Sequence, residues 1–327
     1  MSKKIGLIGC GYWGKNLARN LHDMRALGAV CDTDREKGQS VRKSYGGVPF
    51  TASYRDILDD AAIDAAAIAT PAATHYAIAK ETIESGKDVF VEKPLALTAA
   101  EGKELVSLAE RKGRVLMVGH VLQYHPAVIK LKELIAEGRL GKVQYIYSNR
   151  LNIGKLRTEE NILWSFAPHD ISVILTLLGA EPERVSAFGG CYLNTGIYDT
   201  TLTSMEFKND VKAHIFVSWL HPFKEQKMVV VGSQAMAVFN DTASDKLLLY
   251  PHKIEWKNGV TPIAQKAEHE PVPVEKGEPL RVELRHFLEC LTSGKTPRTD
   301  GNEGLRVLKV LEAAENALTR NGDLLRV

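Results

Sequence analysis

Three things are scarce in this chain of 327 residues. None of its four cysteines, Cys10, Cys31, Cys191 and Cys290, belongs to a Cys-x-x-Cys pair, the spacing that zinc sites use, so no metal site is expected. Cys10 and Cys31 fall among apolar residues and read as small buried hydrophobes. No run approaches the roughly 18 apolar residues that a membrane-spanning helix needs. The opening MSKKIGLIGCGYWG sets lysines before an apolar run, as a secretory leader does, but the run is short and broken by glycines, so a cytoplasmic chain is expected. Surplus charge is missing too. The 42 Lys and Arg against 40 Asp and Glu leave +2, and nothing in that balance calls for a nucleic acid or an anionic membrane as partner.

What is present is periodicity, and it changes near residue 120. Before that point, short apolar runs at 4–8, 26–31, 63–70, 88–91 and 115–118 alternate with helical patterns at 12–21, 34–44, 74–85 and 98–111. Runs that are apolar at every position suit strands covered on both faces, and strand–helix alternation means βαβ units around a parallel sheet. After it, residues 128–136 look helical and the strands alternate. In 211–219, Val211, Ala213, Ile215, Val217 and Trp219 share one face while Lys212, His214 and Ser218 share the other. That is an antiparallel sheet with one face covered. Residues 228–231, 235–240 and 247–250 continue it. Residues 257–279, rich in Pro, Lys and Glu, are expected to be irregular surface chain. Two helical patterns close the chain, the last with Val307, Val310, Leu311, Ala314 and Leu318 on one face. The fold expected is α/β: a Rossmann domain with a doubly wound parallel sheet over 1–120, then an α/β domain with a mostly antiparallel sheet over 121–327.

Gly9-Cys10-Gly11-Tyr12-Trp13-Gly14 fits Gly-x-Gly-x-x-Gly directly between a strand and a helix. In that setting the first glycine makes the tight turn, the second lets backbone approach a pyrophosphate, and the third lets helix and strand pack closely. The helix N-terminus adds free N–H groups and positive partial charge. Asp32 closes the second strand, where a carboxylate accepts hydrogen bonds from ribose hydroxyls and repels a 2′-phosphate. Asp34 adds to that repulsion and Arg35 weakly opposes it. NAD is therefore expected ahead of NADP, against the plainer reading of a glycine-rich turn that binds nothing.

Glu92-Lys93-Pro94 follows the strand at 88–91. Together with the glycine motif, Thr70-Pro71 after the preceding strand and His75 in the next helix, it resembles the Gfo/Idh/MocA family, named for glucose–fructose oxidoreductase, inositol dehydrogenase and a rhizopine catabolism protein. The resemblance covers nearly the whole chain. It implies that the sheet of the second domain is open, that the substrate is a sugar or cyclitol, and that the molecule is a homo-oligomer, dimer or tetramer. It also implies that Lys93 is the catalytic-site lysine, with Thr70, Pro71, His75 and Glu92 near the nicotinamide half of the cofactor. Chemistry agrees, because ligands in such sheets bind at the carboxyl ends of the strands, and a residue before proline leaves its strand in an extended conformation.

By the same resemblance His169 in Trp164-Ser165-Phe166-Ala167-Pro168-His169-Asp170-Ile171-Ser172 is the second catalytic group. Pro168 and Asp170 suit the first turn of a helix running to Leu178. Ser165 and Ser172 stand where many members carry aspartate, so the group that orients the imidazole differs here. The segment Gly119-His120-Val121-Leu122-Gln123-Tyr124-His125-Pro126 resembles the domain connection, with Gln123 where many relatives have arginine. It brings Gln123 toward the cofactor and makes Tyr124 and His125 either substrate contacts or packing residues. In 148–157, Arg150, Asn152, Lys155 and Arg157 follow a strand and either bind a carboxylate or diphosphate or face solvent. The run 148–172 resembles the nucleotide-sugar 3-dehydrogenases of bacterial 3-amino sugar synthesis, which act on UDP-N-acetylglucosamine or its uronate.

The activity expected is hydride transfer between nicotinamide and a sugar hydroxyl, with no metal. An ordinary histidine titrates near working pH while a lysine must be lowered several units, so His169 is expected to take the alcohol proton and Lys93 to stabilise the alkoxide; the reverse assignment stays open. The rivals are a dehydrogenase of a free sugar or inositol and a nucleotide-binding sensor without turnover. The second rival fits poorly with the presence of both Lys93 and His169.

Overall fold

The computed structural model describes residues 3–154, 156–158 and 160–327, and its contacts divide the chain into two units. The first holds residues up to Val121 together with Glu278–Leu308; the second holds Leu122–Gly277 and Lys309–Val327. Each is described by itself.

The first unit is built from β1 (Ile5–Ile8), α1 (Gly14–Asp23), β2 (Leu27–Cys31), α2 (Arg35–Ser44), β3 (Phe50–Thr51), α3 (Tyr54–Asp59), β4 (Ala65–Ile68), α4 (His75–Glu84), β5 (Asp88–Glu92), α5 (Ala99–Lys112) and β6 (Leu116–Gly119). The six strands pair in parallel in the order β3-β2-β1-β4-β5-β6, the Rossmann order, and β1, β4 and β6 are buried at every position. This is why those runs lack polar alternation. The sequence reading missed β3 and α3, which are too short to show a period. Cys10 and Cys31 are buried as expected, and burial followed by the nearby Asp32 carboxylate pushes their thiols up to about 12 and 11.

The second unit contains α6 (Pro126–Ala136), β7 (Val143–Leu151), α7 (Ile162–Leu178), β8 (Arg184–Gly190), β9 (Thr200–Glu206), β10 (Lys212–Ser218), β11 (Glu225–Gly232), β12 (Met236–Asn240), β13 (Leu247–Tyr250), β14 (Lys253–Lys257), β15 (Thr261–Gln265) and β16 (Glu270–Pro271). Next in the chain, α8 (Pro279–Ser293) and the start of α9 (Gly301–Thr319) belong to the first unit, and the rest of α9 with the closing strand β17 (Leu325–Arg326) to the second. The large sheet runs β16-β13-β12-β11-β7-β10-β9-β8-β17 and is antiparallel except at β7–β10. Ala213, Ile215 and Val217 of β10 are buried, as the alternation requires, and Trp219 just beyond it is too. The opposite face carries half-exposed Tyr145, Tyr147 and His214, the last two ring-stacked at 5.5 Å, with Phe188 57% and Leu202 42% exposed nearby. No described helix is long and apolar enough to cross a membrane.

Three expectations need correction. The stretch 257–279 is not wholly irregular: β14 and β15 form an exposed hairpin turning at Asn258-Gly259, both with positive φ, and β16 joins the large sheet. Asn-Gly is a strong hairpin signal that the Pro and charge content obscured. Second, residues after 120 do not all belong to the second unit. The outer edge of β6 pairs with Thr299 and Asp300, and Gly304 packs without a Cβ against Val118 and Leu95, so the start of α9 covers an edge that would otherwise stand bare. Third, α7 does not begin at Pro168. It begins after Asn161, whose side chain caps Trp164 N–H at 3.2 Å, so Pro168 sits inside the helix, where its missing N–H removes one backbone bond.

Candidate active site

The glycine turn in the first unit is as tight as the motif demands. A Cβ on Gly9, at φ +98°, would lie 2.6 Å from the Ala69 carbonyl oxygen, and one on Gly14 would lie 2.0 Å from that of Gly9. At Gly11 a Cβ would meet nothing within 4 Å. The outer glycines are thus needed by the protein, while the middle one leaves room outside it. Asp32 braces the turn: one carboxylate oxygen accepts the Cys10 N–H at 2.7 Å and the other the Asp34 N–H at 2.8 Å. Asp34 caps α2 through the Glu36 and Lys37 N–H groups. A turn with an open middle, the start of α1 and a half-exposed carboxylate at the end of β2 fit a dinucleotide.

Tyr12 is 89% exposed, but Trp13 turns its indole inward and donates to the buried carboxylate of Glu92. Glu92 ends β5, and its oxygens lie within 3.0 Å of where a Cβ on Gly119 would be, so only glycine fits opposite it on β6. Burial pushes its acid up to about 7, against the pull of Trp13, Lys93 and His120. Lys93 follows, half-buried, at the carboxyl end of β5. His75, 1% exposed, lies between two carbonyl oxygens: Nδ1 is 2.7 Å from that of Pro94 and Nε2 2.9 Å from that of Thr70. It ties the segment after β4 to the segment after β5. Thr70 and Pro71 stay partly or fully exposed there.

The second unit carries the other expected residues, in two settings. Gln123 is buried and donates to Ser172 Oγ at 2.7 Å, and Tyr124 is only 1% exposed. Arg150 is buried and meets Asp170 through Nε and Nη2 at 2.6 and 3.2 Å, while Ser148 Oγ donates to the same carboxylate at 2.6 Å. Asp241 lies 3.4 Å from His125 Nε2, and the Gln226 amide joins Asp241 to Arg150 in the orientation that satisfies both. Asn152 and His169 are half-buried; Arg157 is half-buried as well and pairs with Glu160 at 3.3 Å. His169 lies beside Asp170 in the interior of α7, so the helix-start argument does not apply to it. Lys155 lies outside the described residues.

Comparison with known proteins adds the family. Residues 3–120 match the oxidoreductase family described as having an NAD-binding Rossmann fold, and residues 128–238 match the Gfo/Idh/MocA C-terminal domain. The chain belongs to the Gfo/Idh/MocA family. Within it, the chain is 27% identical over 306 residues to a UDP-N-acetylglucosamine 3-dehydrogenase of Acidithiobacillus ferrooxidans, covering 93% of this chain and 94% of that one. The solved structure of that enzyme superposes with a TM-score of 0.85 at 24% identity over 98% of each chain. The chain is 28% identical over 330 residues to the scyllo-inositol 2-dehydrogenase (NAD(+)) of Bacillus subtilis, covering 97% and 93%. The structure of a levoglucosan dehydrogenase with NADH and levoglucosan shares the fold, with a TM-score of 0.85 at 22% identity over all of both chains. Gfo/Idh/MocA membership makes the two-unit architecture that of an oxidoreductase.

Several polar residues of these two settings escaped the sequence reading: His120, Glu283 and Glu303 in the first unit and Asp241 in the second. Glu283 did carry a signal, since it shares the helical stripe of Leu280, Leu284, Phe287 and Cys290.

Proposed function

We propose that the protein is an NAD-dependent dehydrogenase of a sugar hydroxyl, with the 3-hydroxyl of UDP-N-acetylglucosamine or its uronate as substrate. The observation that carries the reading is the pairing of a braced glycine turn and Asp32 at one strand end with Lys93 at another. Gly9, Gly11, Gly14, the backbone of Tyr12 and Trp13, and Asp32 would hold the pyrophosphate and adenosine ribose; Thr70, Pro71 and Lys93 would line the nicotinamide end. The bound cofactor supplies the hydride acceptor.

His169 accepts the alcohol proton, because an imidazole is ready for that task near neutral pH. Lys93 stabilises the oxygen as charge builds on it. Gln123 and Tyr124 are buried and serve as packing and support rather than as ligands, and Arg150 holds Asp170 next to His169. Asn152 and Arg157 remain the second unit's contacts for substrate. The nucleotide-sugar substrate is supported by likeness to a UDP-N-acetylglucosamine 3-dehydrogenase along nearly the whole of both chains. An inositol or free sugar has support from the equally extensive likeness to scyllo-inositol 2-dehydrogenase. The active form is a homo-oligomer; the exposed aromatic face of the large sheet is the surface a second copy would cover.

The test is NADH formation with UDP-N-acetylglucosamine, its uronate, glucose and inositol. Turnover confined to the UDP-sugars supports the nucleotide-sugar reading; turnover confined to inositol or glucose replaces it with the second.

A further inference from the structure

Glu283 on α8 has no exposed surface, and no group among the described residues hydrogen-bonds either of its carboxyl oxygens. Its neighbours are set by how α8 lies on β5. The rings of Phe287 and Phe90 meet at 5.7 Å. Glu283 lies one helical turn before Phe287 on the same face, and Glu92 lies two residues after Phe90 on the same face of the strand. The two carboxyl groups therefore face each other, with Glu303 of α9 as the third acid. Glu303 pairs with His120 at the end of β6. Glu92 takes the Trp13 indole N–H and faces Lys93 and His120. Only Glu283 lacks any such support.

Three carboxylates cannot all stay ionised in a dry interior with so few partners. The unsupported acid is the one that keeps its proton, and burial, then the Glu92 and Glu303 charges, drives it well above the ordinary glutamate range. Glu92, bonded to the glycine turn and adjacent to Lys93, is the one able to change charge. Burial raises its acid to about 7 against the pull of Trp13, Lys93 and His120.

We propose that Glu92 holds a proton that the nucleotide-binding unit surrenders when it takes up oxidised nicotinamide cofactor, while Glu283 beside it stays neutral. The inference rests on the cofactor site proposed above. The oxidised ring carries a positive charge that the reduced ring lacks, and both forms carry the same phosphates. A cation at the Lys93 end favours the Glu92 carboxylate. The Glu92 O–H bond breaks, its electron pair stays on the carboxylate, and the proton passes to the buffer; nothing is oxidised or reduced. Glu92 acts as a positioning residue, through Trp13 and Lys93.

The experiment is calorimetric binding of NAD⁺ and of NADH to the whole protein at pH 7, each in two buffers of different protonation enthalpy. NAD⁺ should release up to about half a proton, since a group titrating near 7 is half-protonated there, and NADH close to none. Glu92→Gln should erase the difference. Glu283→Gln should preserve it, because that side chain is neutral before and after. Equal proton counts for the two cofactors, a difference that survives Glu92→Gln, or its loss in Glu283→Gln would each overturn the proposal. Failure of either cofactor to bind is a separate outcome, which removes the cofactor site and the proposal with it. The unaltered protein gives a second check should Glu92→Gln not fold. The Trp13 indole N–H resonance, assigned with Trp13→Phe, should shift with a midpoint near pH 7, and a flat profile overturns the idea.

Discussion

Arg150 and Asp170 make a two-point ion pair in the interior of the second unit, with Ser148 completing the carboxylate's shell. The arginine is thereby held against α7 at Asp170, the residue that follows His169. Arg150→Ala would leave Asp170 buried without its counter-charge, and removing one partner of such a pair costs about 3–5 kcal/mol. The urea midpoint should fall accordingly, and much less in the double variant Arg150→Met, Asp170→Leu. An unchanged midpoint together with a raised KM for sugar would return Arg150 to the list of substrate contacts.

Asp32 is expected to favour NAD over NADP by repelling a 2′-phosphate. Asp32→Ala should narrow the ratio of the two dissociation constants. It should also lower stability by about 1 kcal/mol, since the Cys10 N–H loses its acceptor. Asp32→Asn should keep most of that stability while still narrowing the ratio. If the unaltered protein binds both cofactors equally, Asp32 has no part in the choice.

Lys93→Ala should reduce turnover by about 10² or more if the ammonium group stabilises the reacting oxygen. NAD affinity, measured by fluorescence, should hardly change, because the glycine turn and Asp32 are untouched. Near-normal turnover would take Lys93 out of the chemistry.

Glu283 also makes a prediction about stability. Its folded value lies well above that of an unfolded glutamate, about 4.3. The folded chain therefore keeps a proton that the unfolded chain releases. The resulting stabilisation is complete only at acid pH and is lost as pH rises from about 4.3 towards the folded value, by about 1.4 kcal/mol for each pH unit. Glu283→Gln removes that dependence. Its Tm should exceed that of the unaltered protein at neutral pH, by a margin that grows from pH 5 to pH 8. Parallel Tm curves would mean that Glu283 is ionised in the folded protein.

Much of this architecture could be read from the chain because it is local. A glycine motif between strand and helix, all-apolar runs for covered strands and alternation in β10 each need only neighbouring residues. The bond from Trp13 to Glu92 spans 79 positions, and no local period encodes it. Arg150 lay within reach of sequence reasoning: Ile146, Ser148 and Arg150 alternate inward along β7, so the strand period already pointed the guanidinium at the core. Its charge outweighed that signal in the reading. Pro168 misled for a related reason, since proline suits a first turn, yet Asn161 supplied the cap seven residues earlier.

The clearances around the glycine turn bear on how the protein could be re-engineered. Gly9 and Gly14 are closed to variation by backbone oxygens that cannot retreat, so a library that randomises them would return mainly unfolded clones. Gly11 tolerates a methyl group sterically, so an alanine there should give a folded protein whose cofactor pocket is partly filled: a ready-made negative control for binding assays. Changes of cofactor preference have to be sought at the end of β2. There each Asp32 replacement must still supply an acceptor to the Cys10 N–H, which favours Asn and Ser over apolar residues in any such library.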